Sequence, residues 1–196
     1  MIPVSNLTES LAPSAWVRRF LPWIPNISGL PVLDLACGRG RHAHLLAQAG
    51  YSVLAIDRDE AALACAKGHN IDARQIDLEV DVQLLQWPCS TASLSGIVVT
   101  NYLHRPLFPL LASSLVPGGV LIYETFARGN AAFGKPSNPD FLLEQGELIE
   151  FARSAHLHVL AFEEGKIVQP KEAMVQRICC IKLKEESDLM ALHPLS

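Results

Sequence analysis

The stretch from Val32 to Ala43 runs from an apolar segment straight into two glycines, and a helical pattern follows. It reads Val-Leu-Asp-Leu-Ala-Cys-Gly-Arg-Gly-Arg-His-Ala. Glycine lacks the Cβ atom that would keep a ligand away from the backbone. The first turn of a helix presents unpaired N–H groups and the positive end of the helix dipole. A strand, a glycine turn and a helix start in this order predict a cofactor site in an α/β fold.

Two classes of cofactor use such a site, and the residues around the glycines favour one of them. Residues 38–43 fit G-x-G-x-x-A, a pattern seen with NAD(P), but a lone match of this kind is weak. Asp34 lies within the strand, four residues before Gly38. A carboxylate there can hold the glycine loop through backbone N–H groups and lie near a cationic ligand. This suits the ammonium and sulfonium groups of S-adenosylmethionine and does not suit a pyrophosphate.

At these residues, which read D-x-A-C-G-x-G, the chain resembles the class I S-adenosylmethionine-dependent methyltransferases. The most similar members are the small bacterial tellurite-resistance-type proteins, which share L-D-L-x-C-G-x-G-R followed by a short helix and a second strand. The resemblance covers residues 30–125. It implies an α/β fold with a doubly wound, mostly parallel sheet of seven strands that ends in a C-terminal antiparallel hairpin. A sheet of the NAD(P)-binding type usually ends with a parallel strand instead.

The rest of the chain alternates between strand and helix patterns, which predicts βαβ units. Strands are predicted at residues 32–36, 51–56, 71–76, 95–100, 120–124, 157–163 and 173–183. Helices are predicted at 13–23, 41–48, 60–67, 106–115 and 147–154, with a turn at 117–119. Trp16, Phe20 and Trp23 fall on one face of the first helix. This predicts a helix packed on the sheet or, alternatively, a lid over the cofactor.

We expect a single methyltransferase domain over residues 1–196. Its parts are an N-terminal helical segment at 1–29, a cofactor-binding core at 30–125, a substrate loop with the hairpin at 126–184, and a loose tail at 185–196. The long loop at the start of the third part is rich in Gly, Pro and Asn, and it is the expected determinant of substrate choice.

Acidic residues follow the second and third predicted strands. Asp57 lies about 20 residues after the glycine turn, where a carboxylate can accept hydrogen bonds from both ribose hydroxyls of either cofactor class. The resemblance implies that Asp77 accepts from the adenine amino group and that the Leu78 N–H binds the ring, although Asp77 also fits an ordinary turn. Arg58 can stack on adenine, or it can meet the 2′-phosphate of NADP, which is the strongest point for the alternative cofactor. The predicted cofactor-binding residues are Asp34, Ala36, Gly38, Gly40, Asp57, Arg58, Asp77, Leu78 and Asn101.

The segment after the fourth predicted strand lies at the topological switch point, where ligands enter open α/β sheets. The resemblance implies that Asn101 binds the amino group of the cofactor and that Tyr102 and His104 face the methyl acceptor. A neutral histidine can take a proton from an acceptor, although a simple surface histidine fits the sequence equally well. Glu124 is a candidate second base or acceptor-binding carboxylate, and the alternative is an ion pair with Arg128. The predicted catalytic residues are Tyr102, His104 and Glu124.

Composition and patterning argue against several other functions. The net charge is −4 and the basic residues form no run, so no nucleic-acid partner is expected. His156 and His158 have no third ligand nearby in the sequence, so no metal site is expected. Residues 1–5 lack a signal-peptide pattern, and the uncharged stretch at 82–104 is too polar for a membrane span. The five cysteines form no C-x-x-C pair, and these features together predict a cytoplasmic protein with no membrane partner.

The resemblance implies an S-adenosylmethionine-dependent methyltransferase that transfers the methyl group directly, in line, to an unidentified small-molecule acceptor. S-adenosylhomocysteine is then the product. Two alternatives remain, an NAD(P)-binding oxidoreductase and a protein that binds S-adenosylmethionine without catalysis. The sequence leaves the acceptor atom and the oligomeric state, monomer or dimer, open.

Overall fold

The computed structural model describes residues 12–81 and 83–184. The strands in chain order are β1 (Val32–Leu35), β2 (Val53–Asp57), β3 (Ile71–Gln75), β4 (Leu94–Thr100), β5 (Leu115–Phe126), β6 (His158–Ile167) and β7 (Ala173–Ile181). The helices are α1 (Ala15–Phe20), α2 (Arg41–Gln48), α3 (Glu60–Ala66), α4 (Phe108–Ser114) and α5 (Glu147–Ser154). Short 3-10 turns lie at Leu21–Trp23, Arg105–Leu107, Asn130–Ala132 and Pro139–Phe141.

The seven described strands form one sheet in the order β3-β2-β1-β4-β5-β7-β6. Strands β1 to β5 pair in parallel with one another, whereas β7 runs antiparallel to both β5 and β6. The strand order reverses between β1 and β4, which makes this position the topological switch point. The predicted doubly wound sheet with a C-terminal antiparallel hairpin is confirmed. The antiparallel β7 also argues against a sheet of the NAD(P)-binding type.

The central strands are apolar runs because helices cover both faces of the sheet. Every residue of β1 and of β4 is buried. On one face, α1, α2 and α3 pack against side chains that include Val32 and Val98. On the other face, α4 and α5 pack against neighbours of opposite orientation, which include Leu33 and Ile97. Because both faces are covered, the carboxyl ends of the strands are where a ligand site can form.

Helix α1 packs on the sheet, as the first of its two interpretations states. Trp16 is 2% exposed, and its indole N–H donates to the carbonyl of Ile178 at 3.3 Å. Phe20 packs beside it with the ring centroids 4.5 Å apart. Trp23 is 37% exposed, so its predicted place on the same face is wrong. The reason is Pro22, which has no N–H to continue the α-helix, so the chain tightens into a 3-10 turn.

Proline also shortens the helix predicted at 106–115, which begins as a 3-10 turn and becomes α-helical at Phe108. In a continuous α-helix, the N–H of residue 109 would bond to the carbonyl of Arg105. Pro109 has no N–H, and the N–H of Phe108 bonds to that carbonyl instead.

The turn predicted at 117–119 lies inside β5, which begins at Leu115 and not at the predicted residue 120. Gly118 adopts a left-handed φ of +85°, which a residue with a side chain rarely does. The pairing of β5 with β4 shifts register at this place, as in a β-bulge, and the strand continues to Phe126.

The start of the predicted N-terminal segment, residues 1–11, and the predicted tail at 185–196 lie outside the described residues. The division of the chain into four parts stays a prediction. Within the described ranges, no helix has the length and the apolar character needed to cross a bilayer.

The packing of α1 predicts different effects for its two tryptophans. Trp16→Ala should lower the free energy of unfolding by about 3–5 kcal/mol, because it leaves a large cavity against β7. Trp23→Ala, the matched control, should lower it by less than about 1 kcal/mol. Denaturant unfolding of the two variants checks this. Equal losses would mean that α1 is not part of the core.

Candidate functional site

A cavity of about 470 Å³ opens at the carboxyl ends of β1, β2 and β4, beside the switch point. The loops that follow β1, β2, β3 and β4 all contribute to its walls. Tyr102 lines it together with seven of the residues predicted to bind a cofactor. These seven are Ala36, Gly38, Asp57, Arg58, Asp77, Leu78 and Asn101. The other four predicted site residues, Asp34, Gly40, His104 and Glu124, are not among its described lining residues.

The glycine loop between β1 and α2 is tied to the end of β2. Ala36 and Gly38 adopt left-handed φ angles of 52° and 53°, which turn the chain back toward the sheet. The backbone N–H of Gly38 donates to the Asp57 carboxylate at 2.7 Å. A Cβ added to Gly38 would meet no atom within 4 Å, because this residue borders the open cavity. The backbone is therefore accessible to a ligand here.

Gly40 has a different role from Gly38. Its φ is +79°, and a Cβ at this position would lie 2.6 Å from the Cβ of Ala66 in α3. The residue is glycine because α2 and α3 approach each other closely at this point. The structure thus brings Gly40 to a helix contact and leaves direct cofactor contact at this residue without support.

Asp34 lies behind the glycine loop and is 1% exposed. Its carboxylate accepts a hydrogen bond from the backbone N–H of Ala43 at 2.8 Å and so anchors the first turn of α2. Burial raises the pKa of Asp34 from 3.8 to about 7, against the smaller opposing effect of the Ala43 hydrogen bond. The sequence predicted a carboxylate that holds the loop through backbone N–H groups, and this contact is present at the helix start.

The hydroxyl of Tyr102 is buried and has no hydrogen-bond partner among the described residues. Burial raises the pKa of this phenol, the charges of Glu79 and Asp77 raise it further, and the charge of Arg58 lowers it. The hydroxyl therefore lies on the side of the cavity formed by the loops after β2 and β3. A buried O–H without a partner indicates that a ligand or a water molecule completes its bonding.

Arg58 and Glu79 form an ion pair of 3.0 Å, and both residues line the cavity. Both side chains are well exposed, so the pair contributes little stability, but it engages the Arg58 guanidinium. Asp77 accepts from the backbone N–H of Glu79 at 3.0 Å, which is the turn contact that its alternative interpretation expects. Asp77 also borders the cavity, so the two interpretations are compatible.

Glu124 belongs to a polar cluster next to the cavity. Its two carboxylate oxygens accept from the Ser14 hydroxyl at 2.9 Å and from Arg177 at 3.4 Å. The alternative interpretation expects an ion pair with a nearby arginine such as Arg128; an arginine pair is present, but the partner is Arg177, which the β5–β7 register places directly opposite Glu124. Arg128 pairs with Glu144 instead. His104 is half-buried at the start of a 3-10 turn.

The polar lining residues that sequence reasoning missed include Arg39, Glu79, Arg41 and Thr100. Thr100 ends β4 directly before Asn101, so its place at a strand end was an available signal. Arg41 follows the second glycine, and its guanidinium donates to the Thr100 hydroxyl at 3.5 Å. His42 also contacts Thr100, and nothing in the local sequence marks that contact.

Residues 32–119 match the family model of a methyltransferase domain. Over these residues, which are less than half of the chain, the sequence is similar to a methyltransferase domain. The malonyl-(acyl-carrier protein) O-methyltransferase of Pectobacterium atrosepticum is 32% identical over 115 residues, which are 58% of this chain and 45% of that protein. The trans-aconitate 2-methyltransferase of Delftia acidovorans is 34% identical over 107 residues, which are 50% of this chain and 38% of that protein. The chain thus spans less than half the length of these two relatives.

Solved structures resemble this chain over most of its length. An S-adenosylmethionine-dependent methyltransferase from Mesorhizobium loti matches with a TM-score of 0.66 and 16% identity, over 87% of this chain and 99% of that one. TehB from Haemophilus influenzae matches with a TM-score of 0.63 and 20% identity, over 85% of this chain and 61% of that one. At these identities the likeness concerns the fold, which confirms the class I sheet.

S-adenosylmethionine is the methyl donor of the class I methyltransferases that the chain resembles, and the cavity fits it in two respects. The open space at Gly38 leaves the backbone accessible, and the Tyr102 hydroxyl offers an unused hydrogen bond. Asp57 has further acceptor capacity, because two carboxylate oxygens offer about four lone-pair sites and two of them take the N–H groups of Gly38 and Asp59.

Asp34 predicts a pH dependence of stability that a single substitution should remove. The folded state binds the proton more tightly than the unfolded state between about pH 4 and pH 7. The free energy of unfolding should therefore fall as the pH rises through this window. Asp34→Asn retains an oxygen for the Ala43 N–H but has no carboxyl group to titrate. The fall in the free energy of unfolding that Asp34 causes should therefore be absent in this variant. Urea unfolding of both proteins from pH 4 to pH 8 checks this, and parallel profiles would contradict it.

Proposed function

We propose that the chain is a methyltransferase that uses S-adenosylmethionine and methylates a small-molecule acceptor by direct transfer. The observation that carries the proposal is the cavity at the switch point, where one methyltransferase-type loop and three further strand ends meet. Ligands of open α/β sheets bind at this place. The acceptor is not identified by the relatives, whose names specify different substrates.

Three groups of residues are proposed to hold the cofactor. Asp57 binds the ribose hydroxyls, since its carboxylate borders the cavity. Asp77 and the backbone of Leu78 hold the adenine ring at the end of β3. Asn101, whose backbone is left-handed at φ 56°, binds the amino group beside the switch point. Bound S-adenosylmethionine supplies a methyl group on a sulfonium, which is a good leaving group.

The protein's own contribution is therefore mainly positioning and exclusion of water. Gly38 allows close approach to the backbone, and the half-buried Tyr102 covers one side of the cavity. We assign the Tyr102 hydroxyl to the cofactor, because the charges nearest to it are on the loops after β2 and β3. His104 remains the proposed acceptor-side base, and Glu124 is proposed to act through the side chains that it contacts.

The NADP alternative loses its strongest point in this geometry. That alternative needs the Arg58 guanidinium for a 2′-phosphate, but the group is paired with Glu79 at 3.0 Å. A 2′-phosphate at this place would also approach the carboxylates of Asp57 and Glu79, which line the same cavity.

The assignment of Asp57 predicts a loss of ligand affinity upon its removal. Asp57→Ala should weaken the binding of S-adenosylhomocysteine by at least about 10-fold, because hydrogen bonds to a charged group contribute about 1.5–3 kcal/mol. Asp59→Ala is the matched control, since Asp59 caps α3 outside the cavity lining. It should lower stability by about 1 kcal/mol and leave the affinity within about twofold. Isothermal titration calorimetry measures both.

The same titrations separate the cofactor classes. Wild-type protein should bind S-adenosylhomocysteine and should not bind NAD or NADP. Binding of a nicotinamide nucleotide without binding of S-adenosylhomocysteine would contradict the proposed function.

A further inference from the structure

Two polar side chains meet at the inner wall of the cavity, where β4 ends beside the start of α2. Thr100 is 8% exposed and Arg41 is half-buried, and both line the cavity. Neither belongs to the residues proposed above to hold the ribose, the adenine ring or the amino group. Their hydrogen bonds fix what chemistry they can present to a ligand.

His42 determines the role of the Thr100 hydroxyl. The backbone N–H of Ser14 donates to Nε2 of His42 at 3.0 Å, so Nε2 is an acceptor and carries no hydrogen. The ring is 1% exposed, and burial lowers its pKa to about 3, so it is neutral. A neutral imidazole has one N–H, which must therefore be at Nδ1. Nδ1 lies 3.3 Å from Oγ1 of Thr100 and donates to it.

A second donor uses the remaining lone pair of the same oxygen. The Arg41 guanidinium, which has no acceptor atom, donates to Oγ1 of Thr100 at 3.5 Å. A hydroxyl has two lone pairs and one hydrogen. In the described part of the chain, the recorded hydrogen bonds of the Thr100 hydroxyl are these two, and both fill lone pairs. The hydroxyl hydrogen is therefore left to donate into the cavity.

We propose that the hydroxyl of Thr100 is a fixed hydrogen-bond donor that, together with Arg41, binds a carboxylate group of the ligand. A carboxylate has only acceptor oxygens, which match a wall that presents only donors. An ammonium group has only donors, so this wall rejects it. The proposal rests on the proposed function and adds a contact to it. The carboxylate belongs either to the methionine part of the cofactor or to the methyl acceptor.

Two neighbouring carboxylates have hydrogen-bond partners of their own among the described residues. Both oxygens of Glu124 are engaged, one by the Ser14 hydroxyl and the other by Arg177. Asp34 lies behind the loop and is bound to the N–H of Ala43.

Thr100→Val and Thr100→Ser test the proposal as a matched pair, because valine has the shape of threonine without the hydroxyl and serine retains it. We would titrate each with S-adenosylhomocysteine and with 5′-methylthioadenosine, which lacks the carboxylate. If the cofactor supplies the carboxylate, Thr100→Val binds S-adenosylhomocysteine about 10-fold more weakly. It binds 5′-methylthioadenosine within about twofold of wild type, and Thr100→Ser restores most of the loss.

A second titration examines the other source of the carboxylate. The protein is saturated with S-adenosylhomocysteine and titrated with trans-aconitate as a carboxylate probe. If the acceptor supplies the carboxylate, Thr100→Val weakens the binding of trans-aconitate by about 10-fold and leaves the affinity for S-adenosylhomocysteine unchanged. Equal weakening of both adenosyl compounds, or no change in any titration, overturns the proposal. A wild-type protein that binds neither adenosyl compound contradicts the proposed function itself, which is a separate result.

The positioning role of His42 has its own test. His42→Asn keeps an N–H donor near the place of Nδ1, whereas His42→Leu keeps the bulk and loses the donor. The titrations above identify the ligand that supplies the carboxylate. Its affinity, divided by the affinity of a comparable ligand without the carboxylate, should fall in His42→Leu. In His42→Asn this ratio should stay near the wild-type value. Equal ratios in the two variants would mean that His42 acts through packing alone.

Discussion

The hydrogen bond between the Gly38 N–H and the Asp57 carboxylate, 2.7 Å long, joins the glycine loop of β1 to the end of β2. It spans 19 residues of sequence and connects the two strand ends that form one wall of the cavity. Because Asp57 also accepts from the N–H of Asp59, one carboxylate orders both loops. A second bond, from the Cys37 N–H to the carbonyl of Ile56 at 2.9 Å, joins the same loop to β2, and the two contacts together fix the distance between them. The Asp57 carboxylate, which holds the cavity wall together, is also the group proposed to bind the ribose. It therefore has both a structural role and a proposed binding role.

A second carboxylate, Asp34, lies in the core behind the glycine loop. It is buried, and burial raises its pKa to about 7, so its charged form is disfavoured in the folded state. In return it holds the first turn of α2 through Ala43. An apolar residue at this position would pack well but would leave that N–H without a partner. The start of α2 carries Arg41 and His42, so a displaced helix start would misplace two of the groups that face the Thr100 hydroxyl.

Local signals in the sequence predicted the fold, and long-range contacts limited the prediction of the site. Helix α2 was predicted with both of its boundaries because glycines flank a short helical pattern. Glu124 was assigned a nearby arginine, but its partner Arg177 is 53 residues away and is selected by strand register. The contact of Thr100 with His42 spans 58 residues and depends on how α2 crosses the end of β4. Propensity and periodicity carry no information about such contacts.

The position of α1 links the hydrophobic core to the chemistry of the cavity. Trp16 fastens the helix to β7, and the Arg177 guanidinium lies 4.9 Å from the centre of its ring. With the helix held there, the Ser14 N–H reaches His42 and selects the tautomer that donates to Thr100. Without that N–H, the imidazole could carry its hydrogen at Nε2, and the Thr100 hydroxyl could then donate to Nδ1 rather than to a ligand. Burial of the apolar side chains of α1 against the sheet therefore stabilises the arrangement in which the Thr100 hydroxyl donates into the cavity. The packing of Trp16 and the hydrogen bonding of Thr100 are therefore coupled through the position of α1.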